Sequence, residues 1–221
     1  VDINSANFTN MLHTKVWTQM AKLVPSDSSP NNLFGHSVLL LGSTAIVSSP
    51  GSESVYVFSR EGIRGNLWTQ HAKLRLNNLG NMFGSLLSTS ESQEAHGASV
   101  VTVSAVLENE NGAVHIFGFT PMLGRKAWSQ QAVLTPSDGG SSQLFGSSVT
   151  TAPLTIAVGA PGHESNTGAV YIFSRSNLQS VAWSQHSRLL NLDARVGDQF
   201  GYNMRLVSLS KSADGSDHHT E

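Results

Sequence analysis

The chain has 221 residues, of which 39% are apolar and only 13% charged, and its formal net charge is −2. This is enough apolar material for one large all-β domain or two small ones. No run of Lys or Arg could neutralise a row of phosphates, and no apolar stretch could span a bilayer, so we expect no nucleic-acid partner and no membrane insertion. The lack of cysteine excludes disulfides, thiolate metal sites and a cysteine nucleophile.

A phrase that begins with tryptophan occurs four times along the chain. Each Trp is followed two residues later by Gln, six residues later by Leu and 15 to 17 residues later by a Phe-Gly pair. The tryptophans are Trp17, Trp68, Trp128 and Trp183, and the phenylalanines are Phe34, Phe83, Phe145 and Phe200. The sequence therefore predicts an internal repeat of 51 to 60 residues, in which these rings pack between neighbouring units.

Within each repeat, short apolar runs have the pattern of β-strands. The β-branched and aromatic runs 55–58, 114–117 and 170–173 are bounded by Gly, Ser and Asn, and a second apolar run precedes each of them. No segment has a helical period of apolar residues. We therefore predict an all-β fold, a β-propeller of four-stranded antiparallel blades. The strands of a blade would be the Phe-Gly strand, the strand before the Pro-Gly turn, the Tyr/Phe strand and the Trp strand.

The predicted repeat units are 17–67, 68–127, 128–182 and a partial unit 183–221, so residues 1–221 form a single propeller segment. This amounts to about three and a half blades, whereas closed propellers have typically four to eight. An open array exposes apolar blade faces and unpaired strand edges. We therefore expect the segment to be completed by more of a longer chain, by other copies of itself or by other subunits.

The third copy of the repeat carries a resemblance to a known family. The runs 145–149, 158–161 and 168–173 together resemble an FG-GAP repeat, best known from the propellers of integrin α-subunits. The Trp-Ser/Thr-Gln phrase is similar to the version found in large microbial and protist surface proteins. The resemblance spans roughly 16–208 and implies that the chain is part of a larger, usually seven-bladed, propeller. The first copy has Ser48-Ser49-Pro50 in place of Gly-Ala-Pro, and the second lacks the proline.

The same resemblance implies a calcium loop of alternating carboxylates between the first two strands of many repeats. In the first and third copies this connection is short and contains no acid. In the second and fourth copies the implied ligand positions include few carboxylates. Because affinity for Ca²⁺ falls with ligand charge, we expect no cofactor. The candidate metal residues, in degenerate loops, are Glu94, His96, Asp214 and Asp217.

The sequence contains no catalytic motif such as a nucleophile elbow, a phosphate loop or a zinc-protease helix. His163 and Glu164 are neighbours in sequence, but no third group accompanies them. Asp27, Asp138 and Asp193 each lie ten residues after their Trp. Such positions ring a propeller on successive blades instead of converging, and we interpret them as turn caps. We therefore expect no enzyme activity.

Three hypotheses for the function remain. The first is a non-catalytic adhesion module that engages a protein or glycan through propeller loops, and the alternative is a structural subunit of a larger assembly or filament. An enzyme with a pocket built from His and Asp in variable loops is a distant third, because no specific feature of the sequence supports it. Fold alone does not decide between them. The sequon at Asn7 and the resemblance favour an extracellular or cell-surface location, with a lumenal compartment as the other choice. The predicted binding loops are 91–99 and 162–167, with Glu91, Ser92, Gly162, His163, Glu164 and Asn166 as their candidate residues.

Overall fold

A computed structural model describes residues 18–60, 67–76, 80–90, 100–122, 125–140 and 142–207. Within these ranges the chain forms three antiparallel sheets of four strands, each in simple chain order. The first sheet contains β1 (Val38–Leu41), β2 (Thr44–Ser49), β3 (Ser54–Arg60) and β4 (Trp68–Arg75). The second contains β5 (Phe83–Thr89), β6 (Val100–Ala105), β7 (Ala113–Met122) and β8 (Arg125–Leu134). The third contains β9 (Ser148–Thr151), β10 (Thr155–Ala160), β11 (Ala169–Ser174) and β12 (Ser184–Leu189).

Helical structure in the described residues is limited to three short turns. Two are 3₁₀ turns at Pro50–Ser52 and Glu108–Glu110, and the third is a distorted helical turn, α1 (His163–Asn166). All three lie in the loop between the second and third strands of a sheet. The predicted all-β fold of four-stranded antiparallel blades is thus confirmed.

The three sheets are arranged like the blades of a propeller. Neighbouring sheets meet at the first strand of the following sheet, since β5 contacts β1, β2 and β3, and β9 contacts β5 and β6. The second strands are buried on both faces, as expected of strands inside a layered array, whereas β4 and β12 alternate between more and less exposed residues. The last strand of each sheet is the Trp strand. A repeat unit counted from its Trp therefore begins with the last strand of one blade and continues with the first three strands of the next.

The outermost strand of every blade carries a β-bulge at the same repeat position. The register between the third and fourth strands shifts at Val57/Phe58, at Ile116/Phe117 and at Ile172/Phe173. The residue left unpaired is the third after each Trp, which is His71, Gln131 or His186. A bulge residue does not pair in the ladder, which explains why this position accepts such different side chains.

The hydrophobic core lies between the blades. Phe83 is fully buried among residues of the first two blades, and Phe145 is fully buried among residues of the second and third. Trp128 and Trp183 pack against these same two clusters. The predicted packing of the repeated rings between blades is thus confirmed at both junctions. Burying such a large ring contributes about 2–3 kcal/mol each to the free energy of folding.

At the two ends of the array the described residues form no strand. Residues 18–25 and 201–207 are not strands, although the sequence predicted a Trp strand and a Phe-Gly strand there. The second segment follows a single bridge between Gly168 and Phe200. A strand is held by hydrogen bonds to a neighbour, and within the described part of the chain no strand pairs with either segment. The described residues therefore contain three blades and the turn that would start a fourth.

Candidate functional site

The Phe-Gly pair of each repeat forms the corner of a tight turn. The N–H of the residue after Gly donates to the carbonyl of the residue before Phe, over 3.0 to 3.2 Å in all four copies. The glycine φ angles lie between 84° and 94°, which is the left-handed conformation required at the third position of a type II turn. The glycine after each Phe is therefore required by the backbone conformation of the turn. As a result, every copy presents its fourth turn residue in the same way.

These fourth residues converge on one pocket near the first strands of the blades. The pocket has a volume of about 440 Å³. Its four repeat-equivalent residues are His36, Ser85, Ser147 and Tyr202, and Met82, Val106 and Asn203 complete the lining. We call it the axial pocket, because β1, β5 and β9, which follow or contain these turns, are the strands through which the blades meet.

The chemistry of the axial pocket differs from blade to blade although its backbone does not. The hydroxyls of Ser85 and Ser147 donate to the carbonyls of Met82 and Leu144 within their own turns. His36 and Tyr202 are exposed, and Tyr202 retains 67% of its accessible surface. No carboxylate lines the pocket. The set offers an imidazole, a phenol and hydroxyls for hydrogen bonds and ring contacts, which suits recognition of a ligand surface better than metal binding or proton transfer.

A second repeated feature lies near the same end of the blades. In the first blade the Asp27 carboxylate accepts a hydrogen bond from the Tyr56 hydroxyl at 2.8 Å and pairs with Lys73. The hydrogen bond from Lys73 lowers the pKa of Asp27, and in return Asp27 raises the pKa of Lys73. The adjacent N–H of Ser26 donates to the Gln70 side chain, which is the Gln of the Trp phrase. Asp27 lies in a turn as predicted, and its side chain also clamps that turn to β3 and β4.

The third blade repeats this clamp with an added histidine. Asp138 accepts a hydrogen bond from the Tyr171 hydroxyl at 2.9 Å, pairs with Arg188 and lies 3.2 Å from His163 Nε2. Burial alone would raise the pKa of Asp138, but the hydrogen bonds from Tyr171 and Arg188 outweigh it and hold the pKa below 3.8. Burial and the Asp138 charge raise the pKa of Tyr171. The acid that contacts His163 is therefore Asp138, since Glu164 approaches it only to 4.0 Å.

The second blade replaces both partners of this clamp. His115 occupies the position of the tyrosine, and its Nε2 lies 2.6 Å from Glu108 in the loop that follows β6. The residue at the aspartate position is Asn78, which lies outside the described residues. The paired change from Asp and Tyr to Asn and His is visible in the sequence and could have revealed the clamp. Sequence reasoning considered each position alone and missed it.

The Asp138 clamp predicts a pH dependence of stability. Because its folded-state pKa is lowered, ionised Asp138 stabilises the fold above pH 3.8, and this contribution is lost as pH falls through the lower folded-state pKa. We expect the free energy of unfolding to fall below about pH 4 and to fall less steeply in Asp138→Asn, as measured by urea unfolding at several pH values. The matched control is Asp193→Asn at the exposed equivalent position. Equal slopes for the wild type and Asp138→Asn would contradict the assignment.

The structure places the predicted 162–167 loop at a blade junction. The Gly162 N–H donates to the Gln143 carbonyl, and a Cβ at Gly162 would lie 2.1 Å from the Ser142 carbonyl oxygen. His163 is buried, and the Asn166 carbonyl accepts hydrogen bonds from Gly197 and Gln199. Of the side chains chosen there, those of Glu164 and Asn166 are exposed. The backbone of this loop therefore contacts the following repeat, and whether its exposed side chains bind a ligand stays a prediction.

The other predicted site residues fall on segments outside the described residues. These are Glu91, Ser92, Glu94, His96, Asp214 and Asp217. Among the described residues no group of three or more His, Asp or Glu side chains could hold a metal ion. The predicted metal residues are not among them and stay a prediction.

A repeated blade with this Phe-Gly corner defines a β-propeller-like repeat protein, and comparisons with known proteins agree. The family model described as FG-GAP repeat matches residues 17–58 and 128–173. Mouse integrin alpha-M is 26% identical over 141 residues, which is 60% of this chain and 12% of the length of that protein. These matches support an FG-GAP repeat propeller-like domain, as the sequence suggested. Among the described residues no helix has the length and apolar character needed to cross a membrane.

Proposed function

We propose that the chain is a non-catalytic binding module of an extracellular or cell-surface protein, and that it engages a protein ligand at the axial pocket. The FG-GAP repeats and the similarity to an integrin α-subunit support an adhesion-type role and a protein partner. A glycan ligand remains the alternative within the same class. We propose no enzyme activity and no required cofactor.

The main support for this proposal is that the four Phe-Gly turns share one backbone conformation but present different side chains. Four turns with the same backbone present His, Ser, Ser and Tyr to one shared pocket. A position with only a packing role would be expected to keep one residue type, as the Phe two residues earlier does. Exposed rings on a rigid frame are also typical of residues that dominate binding energy.

The test is a binding screen followed by substitution. The purified chain would be assayed on arrays of extracellular protein domains and of glycans, and any hit re-measured by surface plasmon resonance. We expect a saturable protein hit that His36→Ala and Tyr202→Ala each weaken at least tenfold, because each removes a ring contact from the pocket. The matched control is His71→Ala on β4, an exposed histidine far from the pocket in the blade.

Other results would contradict the proposal in different ways. A glycan hit with the same sensitivity to Tyr202→Ala would replace the protein partner by a sugar. A ligand whose binding is weakened equally by His36→Ala, Tyr202→Ala and His71→Ala, or by none of them, would show that the axial pocket is not the binding site.

A structural subunit of a larger assembly is the second candidate, and the outer face of the third blade favours it. A groove of about 300 Å³ there is lined by apolar residues of β10 and β11, including Ala157 and Ile172, and by Phe200 and Leu206. The neighbouring Leu192 and Val196 are exposed. At the two junctions within the chain, this kind of face is covered by the next blade. Native mass spectrometry distinguishes the candidates, since a subunit would occur as a multimer and a binding module as a stable monomer.

A further inference from the structure

Arg175, at the end of β11, is a buried cation without a counter-charge among the described residues. Its residue surface is 5% exposed, and burial lowers its pKa. Its Nε donates to the Pro153 carbonyl at 2.8 Å, and one Nη approaches the Ser180 carbonyl at 3.4 Å. The other Nη has no hydrogen-bond partner there. A buried guanidinium that lacks both a carboxylate and a full set of acceptors is costly, so an anion at this position would relieve a real deficit.

A second unpaired donor lies beside it. The Arg175 guanidinium stacks over the ring of Trp183 at 5.0 Å, and the indole N–H of Trp183 has no acceptor among the described residues. Both residues line a pocket of about 410 Å³. Ser174, Ser176, Ser180, Ser184 and Ala182 form the rest of its wall. Arginine, indole and seryl hydroxyl groups thus supply donors in a pocket whose wall carries no acid.

We propose that this pocket, which we call the Arg175 pocket, binds a carboxylate side chain of an acidic peptide segment in a protein partner. The planar guanidinium fork matches a carboxylate, and hydroxyl donors complete its coordination. The two unpaired nitrogens are covered in the structure, so binding requires Arg175 and Trp183 to turn toward the pocket. A sugar is disfavoured because Arg175 covers one face of the indole and Trp183 packs against the core between the second and third blades.

The Arg175 pocket is separate from the axial pocket. It lies at the hairpin between β11 and β12, whereas the axial pocket lies at the end of the blades where the Phe-Gly turns are. The inference therefore does not rest on the axial pocket, and each can fail without the other. The first blade supplies an internal comparison, because Arg60 stacks over Trp68 at 5.9 Å and occupies the same repeat position as Arg175.

The experiment is an NMR titration of the full chain with two small probes, N-acetyl-glutamate amide and N-acetyl-glutamine amide. The signals followed are the indole N–H of Trp183, assigned with Trp183→Phe, and the Nε–H of Arg175. We expect both signals to shift saturably with the glutamate probe, in the millimolar range of a single charged contact, and not with the glutamine probe. Arg175→Gln should weaken the response of the indole at least tenfold, and Arg175→Lys should restore it only in part because it lacks the fork.

The matched control is Arg60→Gln, which removes the equivalent stacked arginine from the first blade. It should leave the Trp183 response unchanged. Equal shifts with the two probes, no saturable shift in the wild type, or equal loss in Arg60→Gln would each overturn the proposal. A response to inorganic sulfate but not to glutamate would also overturn it, because the site would then select a different anion. The wild-type comparison of the two probes decides the matter even if Arg175→Gln does not fold.

Discussion

Replacing Glu53 by alanine is expected to lower the free energy of unfolding by about 3–5 kcal/mol, because it removes the charged acceptor of three backbone N–H groups, one of them fully buried. Glu53 is 4% exposed and lies in the loop between the first blade's second and third strands. Its two carboxylate oxygens accept hydrogen bonds from the backbone N–H groups of Gly80, Met82 and Phe83, over 2.7 to 3.1 Å. These donors belong to the segment that begins the second blade, so one side chain joins two blades.

The other junctions show what Glu53 replaces. The N–H of Phe145 donates to the backbone carbonyl of Asn111, and that of Phe200 donates to the carbonyl of Thr167. The loops that supply these carbonyls span 106–112 and 161–168, whereas the corresponding loop of the first blade spans only 50–53. The shorter loop has no carbonyl in reach of Phe83, and the glutamate side chain fills the gap.

The measurement is urea unfolding followed by tryptophan fluorescence. Glu53→Gln retains one acceptor oxygen, so it should lower the free energy of unfolding less than Glu53→Ala does. It should still be less stable than the wild type, because it loses the charge that strengthens these hydrogen bonds. The matched control is Glu164→Ala. Glu164 also has a positive φ, of 42°, but its side chain is 70% exposed, and its substitution should change stability by about 0.5 kcal/mol or less. A Glu53→Ala variant as stable as Glu164→Ala would show that the carboxylate does not join the blades.

The architecture of the blades could be predicted because the sequence pattern of each strand recurs in several copies of the repeat. A single run such as Val55 to Phe58 is ambiguous, but its recurrence at 114–117 and 170–173 fixes both its type and its place in the blade. Residues 18–25 and 201–207 form no strand, because a strand depends on a neighbour, which local sequence does not supply.

The candidate sites could be predicted much less well, since their residues differ between repeats. His36 and Tyr202 are unremarkable alone, and only the Phe-Gly turn brings them to one pocket. The role of Glu53 in joining two blades could not be predicted for a related reason, because the other copies have Gly112 and Gly168 at its position. The aspartates interpreted as turn caps also bind tyrosine side chains on β3 and β11, and this partner is far away in sequence. Residue variation at a repeated position thus marks these sites in the sequence. The variation could be interpreted only once the structure showed which positions lie together.

Gly112→Ala is expected to be the second severe substitution, and to lower the free energy of unfolding by about 2–5 kcal/mol. Gly112 has φ = +91°, a conformation that costs a residue with a side chain roughly 1–2 kcal/mol. A Cβ there would also lie 2.0 Å from the carbonyl oxygen of Phe145, which is fully buried between the second and third blades. Overpacking of this kind adds about 1–3 kcal/mol. The N–H of Phe145 donates to the carbonyl of Asn111, so the Phe145 backbone cannot move away without breaking that hydrogen bond.

The control for this prediction separates backbone strain from the steric clash. Gly197 has the same φ of +91°, but a Cβ there would meet nothing within 4 Å, so Gly197→Ala should cost only the strain, about 1–2 kcal/mol. Thermal unfolding of the two variants would therefore differ by the clash with Phe145. Phe145 lies in the turn that presents Ser147 to the axial pocket. Gly112→Ala should therefore also disturb this pocket and lower its affinity for a ligand. Equal losses of stability at the two glycines would mean that the junction between the second and third blades yields to an extra methyl group, contrary to the close packing described above.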